Sequence, residues 1–134
     1  MRVPAAALAA ALVLAAAGCG TDTADLMAID VTGGPTKARE RIRVTDDGRA
    51  SCGGELRAIP SQAVLDARGV KRALRPLAKR GASFRAGAAG GRSYVVRSFD
   101  GVVRWTEGAD GPPALGRAAL FTLRLERLLC RRPG

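Results

Sequence analysis

The chain has 134 residues and a formal net charge of +10, with 22 basic side chains, 12 acidic side chains and no histidine. This length corresponds to one small domain. Without histidine, neither a Ser-His-Asp nor a Cys-His catalytic arrangement can form. The remaining carboxylate pairs, Asp46-Asp47 and Glu107/Asp110, lie in predicted turns, where aspartate serves turn geometry, so we expect a protein that is not an enzyme.

The first residues carry the pattern of an export signal. A single charge, Arg2, precedes residues 5–17, which contain no polar side chain. Because a membrane-spanning helix needs about 20 residues, this shorter run predicts a signal peptide over residues 1–18. The small residues 16–18 before Cys19 resemble the lipobox of bacterial lipoproteins, which implies cleavage before Cys19 and acylation of its thiol. The alternative is an ordinary secretory signal followed by an incidental cysteine.

The other two cysteines form an even pair. Acylation of Cys19 leaves Cys52 and Cys130, and an exported chain meets oxidising conditions. We therefore predict a Cys52–Cys130 disulfide, which would stabilise the fold by about 4–5 kcal/mol. Two separate thiols are the alternative. Since the chain lacks histidine and closely spaced cysteines, we expect no metal ion and no other cofactor.

Residues 19–25 predict a lipidated tether, and residues 26–134 predict a single domain. The six residues 20–25 that follow the acylated cysteine reach about 20 Å at most when extended, so the tether would hold the domain close to a membrane. Basic side chains gain binding energy when they lie near an anionic membrane surface. Because the compartment lies outside the cytoplasm, we expect no nucleic-acid partner.

Two strands with alternating apolar side chains open the domain. Their apolar residues recur at every second position, namely Met27, Ile29 and Val31 in the first strand and Ile42 and Val44 in the second. The sequence GGPT (33–36) breaks the first strand. The turn sequence DDG (46–48) ends the second, and residues 49–52 predict a short third strand.

An amphipathic helix is predicted to begin near Ser61, the expected N-cap, and to end at Gly81. Pro76 is expected to weaken or kink it. Its apolar residues recur at helical spacing, namely Val70, Leu74 and Leu77. Residues 81–91, GASFRAGAAGG, predict a flexible loop.

The segment SYVVRSFDGVVRWTE (93–107) predicts a β-hairpin. A type I′ turn at Asp100-Gly101 would place Arg97 opposite Arg104. Like charges in that position repel, so either an acid or a ligand anion lies between Arg97 and Arg104, or both heads reach solvent. Both arginines are therefore candidate anion-binding residues. The predicted core face holds Tyr94, Val96, Val103 and Trp105.

Pro112-Pro113 introduces a second helix, predicted over Ala114–Cys130. Its apolar face holds Leu115, Ala118, Ala119, Thr122, Leu125 and Leu129. A stripe of further candidate anion-binding residues holds Arg117, Arg124, Arg127 and Arg131. Glu126 lies within the apolar arc, and a buried carboxylate there needs a partner, which we expect to be an arginine.

The element order β-β-(β)-α-β-β-α predicts an α+β fold. Each element has one apolar side, so two helices should cover one face of a small antiparallel sheet. One disulfide, Cys52–Cys130, would connect the first part of the sheet to the last helix.

Five segments resemble, in order, the emfourin-type inhibitors of thermolysin-like metalloproteases. They are IDVTGG, RIRV, the first helix, SYVVRSFDGVVRWTE and PPALGRAALFTLRLERLL, over about residues 29–129. The resemblance implies a small α+β inhibitor of an extracellular protease. In such an inhibitor Thr32, Gly33, Gly34 and Pro35 would block the catalytic cleft without offering a cleavable bond. The chain also resembles small actinobacterial lipoproteins.

Two functions therefore stand as alternatives. In the first, the chain is a lipid-anchored binding module on the outer face of the cell membrane that inhibits an extracellular metalloprotease. In the second, it is a non-enzymatic envelope protein whose basic face binds anionic lipid or an anionic wall polymer.

Overall fold

A computed structural model describes residues 25–34, 39–87 and 91–130. The elements in these ranges are β1 (Asp25–Gly33), β2 (Arg39–Thr45), β3 (Arg49–Cys52), β4 (Arg57–Ala58), α1 (Ser61–Lys79), β5 (Ser83–Phe84), β6 (Arg92–Ser98), β7 (Gly101–Thr106) and α2 (Pro113–Leu125). A π-helical turn, Glu126–Cys130, continues α2. The predicted α+β fold with two helices and one disulfide is confirmed.

The strands form one sheet in the order β4-β3-β2-β1-β6-β7-β5. Neighbouring strands are antiparallel except β5 and β7, which are parallel. β5 lies in the segment predicted to be a flexible loop. It forms because Phe84 pairs with Trp105 at the sheet edge and packs against the core. This short edge strand makes the sheet mixed.

One face of the sheet is the core. Ile29 lies between Ile42 on β2 and Val96 on β6, so the predicted period of two places apolar side chains on the same side. All three of these side chains are buried beneath the helices. The predicted core face of the hairpin is also buried, and the rings of Tyr94 and Trp105 stack with centroids 4.9 Å apart.

Helix α1 begins one residue earlier than predicted. Pro60 is the N-cap, with its carbonyl accepting from Ala63 and Val64, and Ser61 is already helical without a side-chain cap. At the other end Gly81 adopts φ +60°, as predicted for a helix stop. The N–H of Ala82 bonds to the Leu77 carbonyl, which forms a Schellman motif. The helix continues through Pro76.

The hairpin register predicted from Asp100-Gly101 is wrong by two residues. Ser98 pairs with Gly101, so Phe99 and Asp100 form the turn, and Arg97 faces Val102 instead of Arg104. The physical reason is tertiary. A Cβ on Gly101 would lie 2.2 Å from the Ala78 carbonyl oxygen, so this glycine is needed where α1 touches the strand. A shift of two leaves every side chain on its predicted face.

The last described residues are linked to β3 by the disulfide. Cys52 and Cys130 form the predicted disulfide, with a Cα–Cα distance of 5.3 Å and a separation of 78 residues. Arg57 on β4 also donates to the Leu129 carbonyl at 3.0 Å. Helix α2 ends at Leu125, earlier than predicted, because the last residues adopt the π-helical turn.

Candidate functional site

The face of the sheet opposite the helices is rich in arginine. The residues that alternate with the core residues on β1, β2, β6 and β7 are mostly polar, with Ala28, Val95 and Val102 among them, and the register brings them together across the sheet. We call this surface the arginine face and define it by Arg39, Arg41, Arg43, Arg97 and Arg104. All five arginines are exposed.

Asp30 lies at the centre of the arginine face. Its carboxylate accepts from Arg41 Nε at 2.8 Å and from Arg97 Nη1 at 2.5 Å, so it connects β2 and β6 across β1. Its side chain is 18% exposed. The hydrogen bond from Arg41 outweighs partial burial and, together with Arg97, lowers the pKa of Asp30 below its ordinary value. Asp30 is therefore charged at neutral pH and partly neutralises the face.

Two arginines of the face keep their charge unbalanced. Within the described ranges, Arg39 and Arg104 have no acidic partner, whereas Arg43 pairs with Asp25 at 2.9 Å. Arg39 and Arg104 both line a depression of about 520 Å³ on this face. Its other lining residues are Asp30, Thr32, Arg41, Val95 and Arg97. A second depression, toward β5, shares Val95 and Arg104 with the first. The arrangement suits an anion, because guanidinium groups bind phosphate and carboxylate oxygens in pairs.

The predicted pairing of Arg97 with Arg104 takes a different form. The two side chains are not directly opposite each other, yet both line the same depression. The acid that we expected near them is Asp30, which pairs with Arg97. Sequence reasoning missed Asp30, Arg39 and Arg41 as members of this site.

The predicted arginine stripe on α2 lies on the other layer of the molecule. Arg117, Arg124 and Arg127 are exposed, and Arg124 lies 3.9 Å from Asp66 on α1. Arg117 and Arg124 line a smaller groove of about 260 Å³ between the helices. Arg131 lies outside the described residues. The two sets of candidate anion-binding residues therefore do not form one site.

The segment predicted to enter a protease cleft is described only in part. Gly33 and Gly34 have φ +84° and +81°, which disfavour other residues. A Cβ on Gly33 would lie 2.9 Å from the Gly91 carbonyl oxygen, so this glycine also permits close contact within the fold. Thr32 lines the depression on the arginine face, and Pro35 lies outside the described residues. The inhibitor role stays a prediction, which a titration against a thermolysin-like protease tests.

A second charged cluster is partly buried at the core side of the sheet. Glu126 pairs with Arg92, which confirms the expected arginine partner. The Arg92 guanidinium also lies over the Tyr94 ring, 5.4 Å from its centroid. Burial, with Glu126 adding repulsion, raises the pKa of the nearby Glu40 carboxyl. The side chains of Arg92 and Glu126 are 20% and 16% exposed, so this cluster is partly buried and offers little surface to a ligand.

Glu40 also lies near the disulfide. Among the described residues, its carboxylate and the sulfurs of Cys52 and Cys130 lie within 4.8 Å of one another. The disulfide uses both thiols, so these atoms do not provide the thiolates that bind zinc.

Comparison of the chain with protein-family models, with curated proteins and with solved structures gave no match. Within the part of the chain that the structure describes, neither helix is both long and apolar enough to cross a bilayer. Since no similar protein was found, the assignment of the candidate site is based on its geometry alone.

Proposed function

We propose that this chain is a lipid-anchored, extracytoplasmic binding module that holds a linear anionic polymer of the cell envelope on the arginine face. The observation that carries the proposal is the grouping of five arginines on one face, where Asp30 and Asp25 balance part of the charge and Arg39 and Arg104 are unpaired among the described residues. The module binds its ligand and does no chemistry on it.

The spacing of the arginines favours a polymer over a small anion. Arg39, Arg41 and Arg43 alternate along β2 and therefore follow one another at about 7 Å intervals. Arg97 and Arg104 continue the charge on the other side of β1. A phosphodiester chain that crosses the face can contact several guanidinium groups at once, and each contact adds to the affinity.

Export and anchoring are supported by the sequence and by the disulfide. The apolar leader ends at Cys19, the residue that a lipoprotein signal would acylate. Structural disulfides such as Cys52–Cys130 persist in oxidising compartments. An envelope polymer is a partner of the right charge in that location.

The test is a titration of the acylated protein, in non-ionic detergent, with poly(glycerol phosphate) at several salt concentrations. We expect saturable binding that weakens as salt rises. The double variant Arg39→Gln/Arg104→Gln should bind about tenfold more weakly, since each contact contributes roughly 1 kcal/mol or less.

The matched control is Arg117→Gln/Arg127→Gln, which removes the same charge from exposed positions on the helix layer. It should bind nearly as well as the unchanged protein. Equal losses in the two double variants would show that binding follows net charge and would contradict the proposal. Binding to phosphatidylglycerol vesicles through Arg39 and Arg104, without binding to the polymer, would replace the polymer with a lipid surface.

A further inference from the structure

The start of β1 lies at the same end of the sheet as two turns. β1 begins at Asp25, and Ala28 pairs with Arg97, so β6 reaches its turn beside the start of β1. Asp25 also pairs with Thr45, after which the β2–β3 turn follows. We call this end of the domain the tether end and define it by Asp25 and the turns 46–48 and 99–100.

An aromatic side chain projects from the tether end. Phe99, in the β6–β7 turn, is 96% exposed, which makes it the most exposed of the large apolar side chains identified in the described residues. Tight turns are built from Gly, Asn, Asp and Ser, and an aromatic ring adds nothing to their geometry. The neighbouring Asp100 already supplies a turn residue, with its N–H donating to Ser98 Oγ at 3.2 Å.

A basic stripe of α1 lies along the same end. Arg68, Arg72, Arg75 and Lys79 follow each other at helical spacing and are exposed. Within the described ranges Arg72 and Lys79 have no acidic partner and keep their charge available. Arg68 and Arg75 form ion pairs with Asp46 and Asp100, each at 3.4 Å. These two contacts reach the β2–β3 and β6–β7 turns. The helix therefore presents this stripe, which we call the α1 stripe, beside Phe99.

We propose that the tether end docks onto the anionic outer surface of the cell membrane, with Phe99 inserted among the lipids and the α1 stripe on their headgroups. The inference rests on the acylation of Cys19 in the proposed function. Asp25 is the sixth residue after Cys19, and six extended residues span about 20 Å at most, so the acyl chains enter the bilayer close to this end. An apolar ring flanked by basic side chains is the pattern of an interfacial membrane contact.

Docking in this way would keep the binding site open. β1 starts at the tether end, whereas the antiparallel strands β2 and β6 end there. The arginine face, which these strands carry, would therefore extend outward from the membrane. A polymer of the envelope could then reach Arg39 and Arg104 without competition from lipid headgroups.

The experiment uses the acylated protein reconstituted in vesicles of phosphatidylglycerol and phosphatidylcholine with brominated acyl chains. Phe99→Trp places a fluorophore at the tether end. The control Leu128→Trp places one at a half-exposed site near Glu126, which pairs with Arg92 at the far end of β6. The native Trp105 is buried, so the unchanged protein gives the background.

We expect the brominated lipids to quench Phe99→Trp and its emission to shift to the blue. Leu128→Trp should be quenched no more than the unchanged protein. Arg72→Gln/Lys79→Gln in the Phe99→Trp protein should reduce quenching when phosphatidylglycerol is present, and Arg117→Gln/Arg127→Gln should not. All four substituted basic residues are exposed, so the fold should be retained, and melting curves check this.

Equal quenching of the two tryptophans would overturn the inference. An intact mass without acyl chains on Cys19 would remove its premise and overturn it together with the anchoring part of the proposed function. An acylated protein whose Phe99→Trp is unquenched, but whose polymer binding still depends on Arg39 and Arg104, would overturn the docking alone.

Discussion

Asp30 on β1 accepts a hydrogen bond from Arg97 on β6, although 67 residues separate the two in the sequence. Arg41 donates to the same carboxylate from β2 at 2.8 Å. One acid therefore holds guanidinium groups from both neighbouring strands in place. It also competes with any anion that approaches them, so the bound ligand must offset the attraction that Asp30 exerts.

Removing this competing charge should strengthen binding. We expect Asp30→Asn to raise the affinity for poly(glycerol phosphate) about fivefold at low salt, since the carboxylate lies within a few ångströms of the depression. Calorimetric titration measures the change. Asp110→Asn removes an exposed acid from the loop before α2 and is the control. An equal gain in both variants would mean that net charge alone controls affinity.

The same substitution should alter the pH dependence of stability. The pKa of Asp30 is lowered in the folded state, so its contribution is present above the unfolded pKa of about 3.9 and is lost as pH falls through the folded pKa. We expect Asp30→Asn to lower the free energy of unfolding by about 1 kcal/mol at pH 6. Urea unfolding at pH 2 should show a smaller difference, and a difference independent of pH would contradict the assignment.

Two glycines should respond to alanine in opposite directions. Gly101→Ala would bring a Cβ to 2.2 Å from the Ala78 carbonyl oxygen at φ +134°, so we expect a loss of about 2–4 kcal/mol in the free energy of unfolding. Gly69→Ala, within α1, meets no atom within 4 Å and should raise stability by about 0.5–1 kcal/mol. Denaturant unfolding of both variants checks the pair, and a neutral Gly101→Ala would refute the packing argument.

Local pattern was enough to predict most elements but not the hairpin register. The alternation around Val96 and Val103 identifies the core face correctly because a strand has a period of two. The turn position depends instead on the approach of α1 to Gly101, a contact between segments that are distant in the sequence. The same limit applies to β5, which forms through its pairing with β7.

The candidate site was predicted in part for a related reason. The alternation in β2 places Arg41 on the opposite side of the strand from the core residue Ile42. The alternation in the hairpin likewise places Arg97 on the side opposite the core residue Val96. Their meeting at Asp30 requires β1 to lie between β2 and β6, and no local pattern specifies that strand order. Glu126 was more predictable, because an acid on the apolar side of a helix needs a partner wherever it lies.

The disulfide should make a large contribution to stability. It closes a loop with a separation of 78 residues, so reduction should lower the free energy of unfolding by about 2–5 kcal/mol. Denaturant unfolding with and without reductant measures this, and Cys52→Ser/Cys130→Ser should reproduce the reduced value. If reductant lowers the stability of that double variant equally, the effect does not arise from this bond.

Glu40 should make stability depend on pH in the opposite direction to Asp30. Burial raises its pKa in the folded state, with repulsion from Glu126 adding to the shift, so folding holds the proton more tightly. The contribution is complete below the unfolded pKa of about 4.3 and is lost as pH rises through the folded pKa. Glu40→Gln should therefore gain stability relative to the unchanged protein between pH 4 and pH 7, as measured by urea unfolding. Glu55→Gln changes an exposed carboxylate and should show no such gain, and a constant difference for Glu40→Gln would contradict the burial argument.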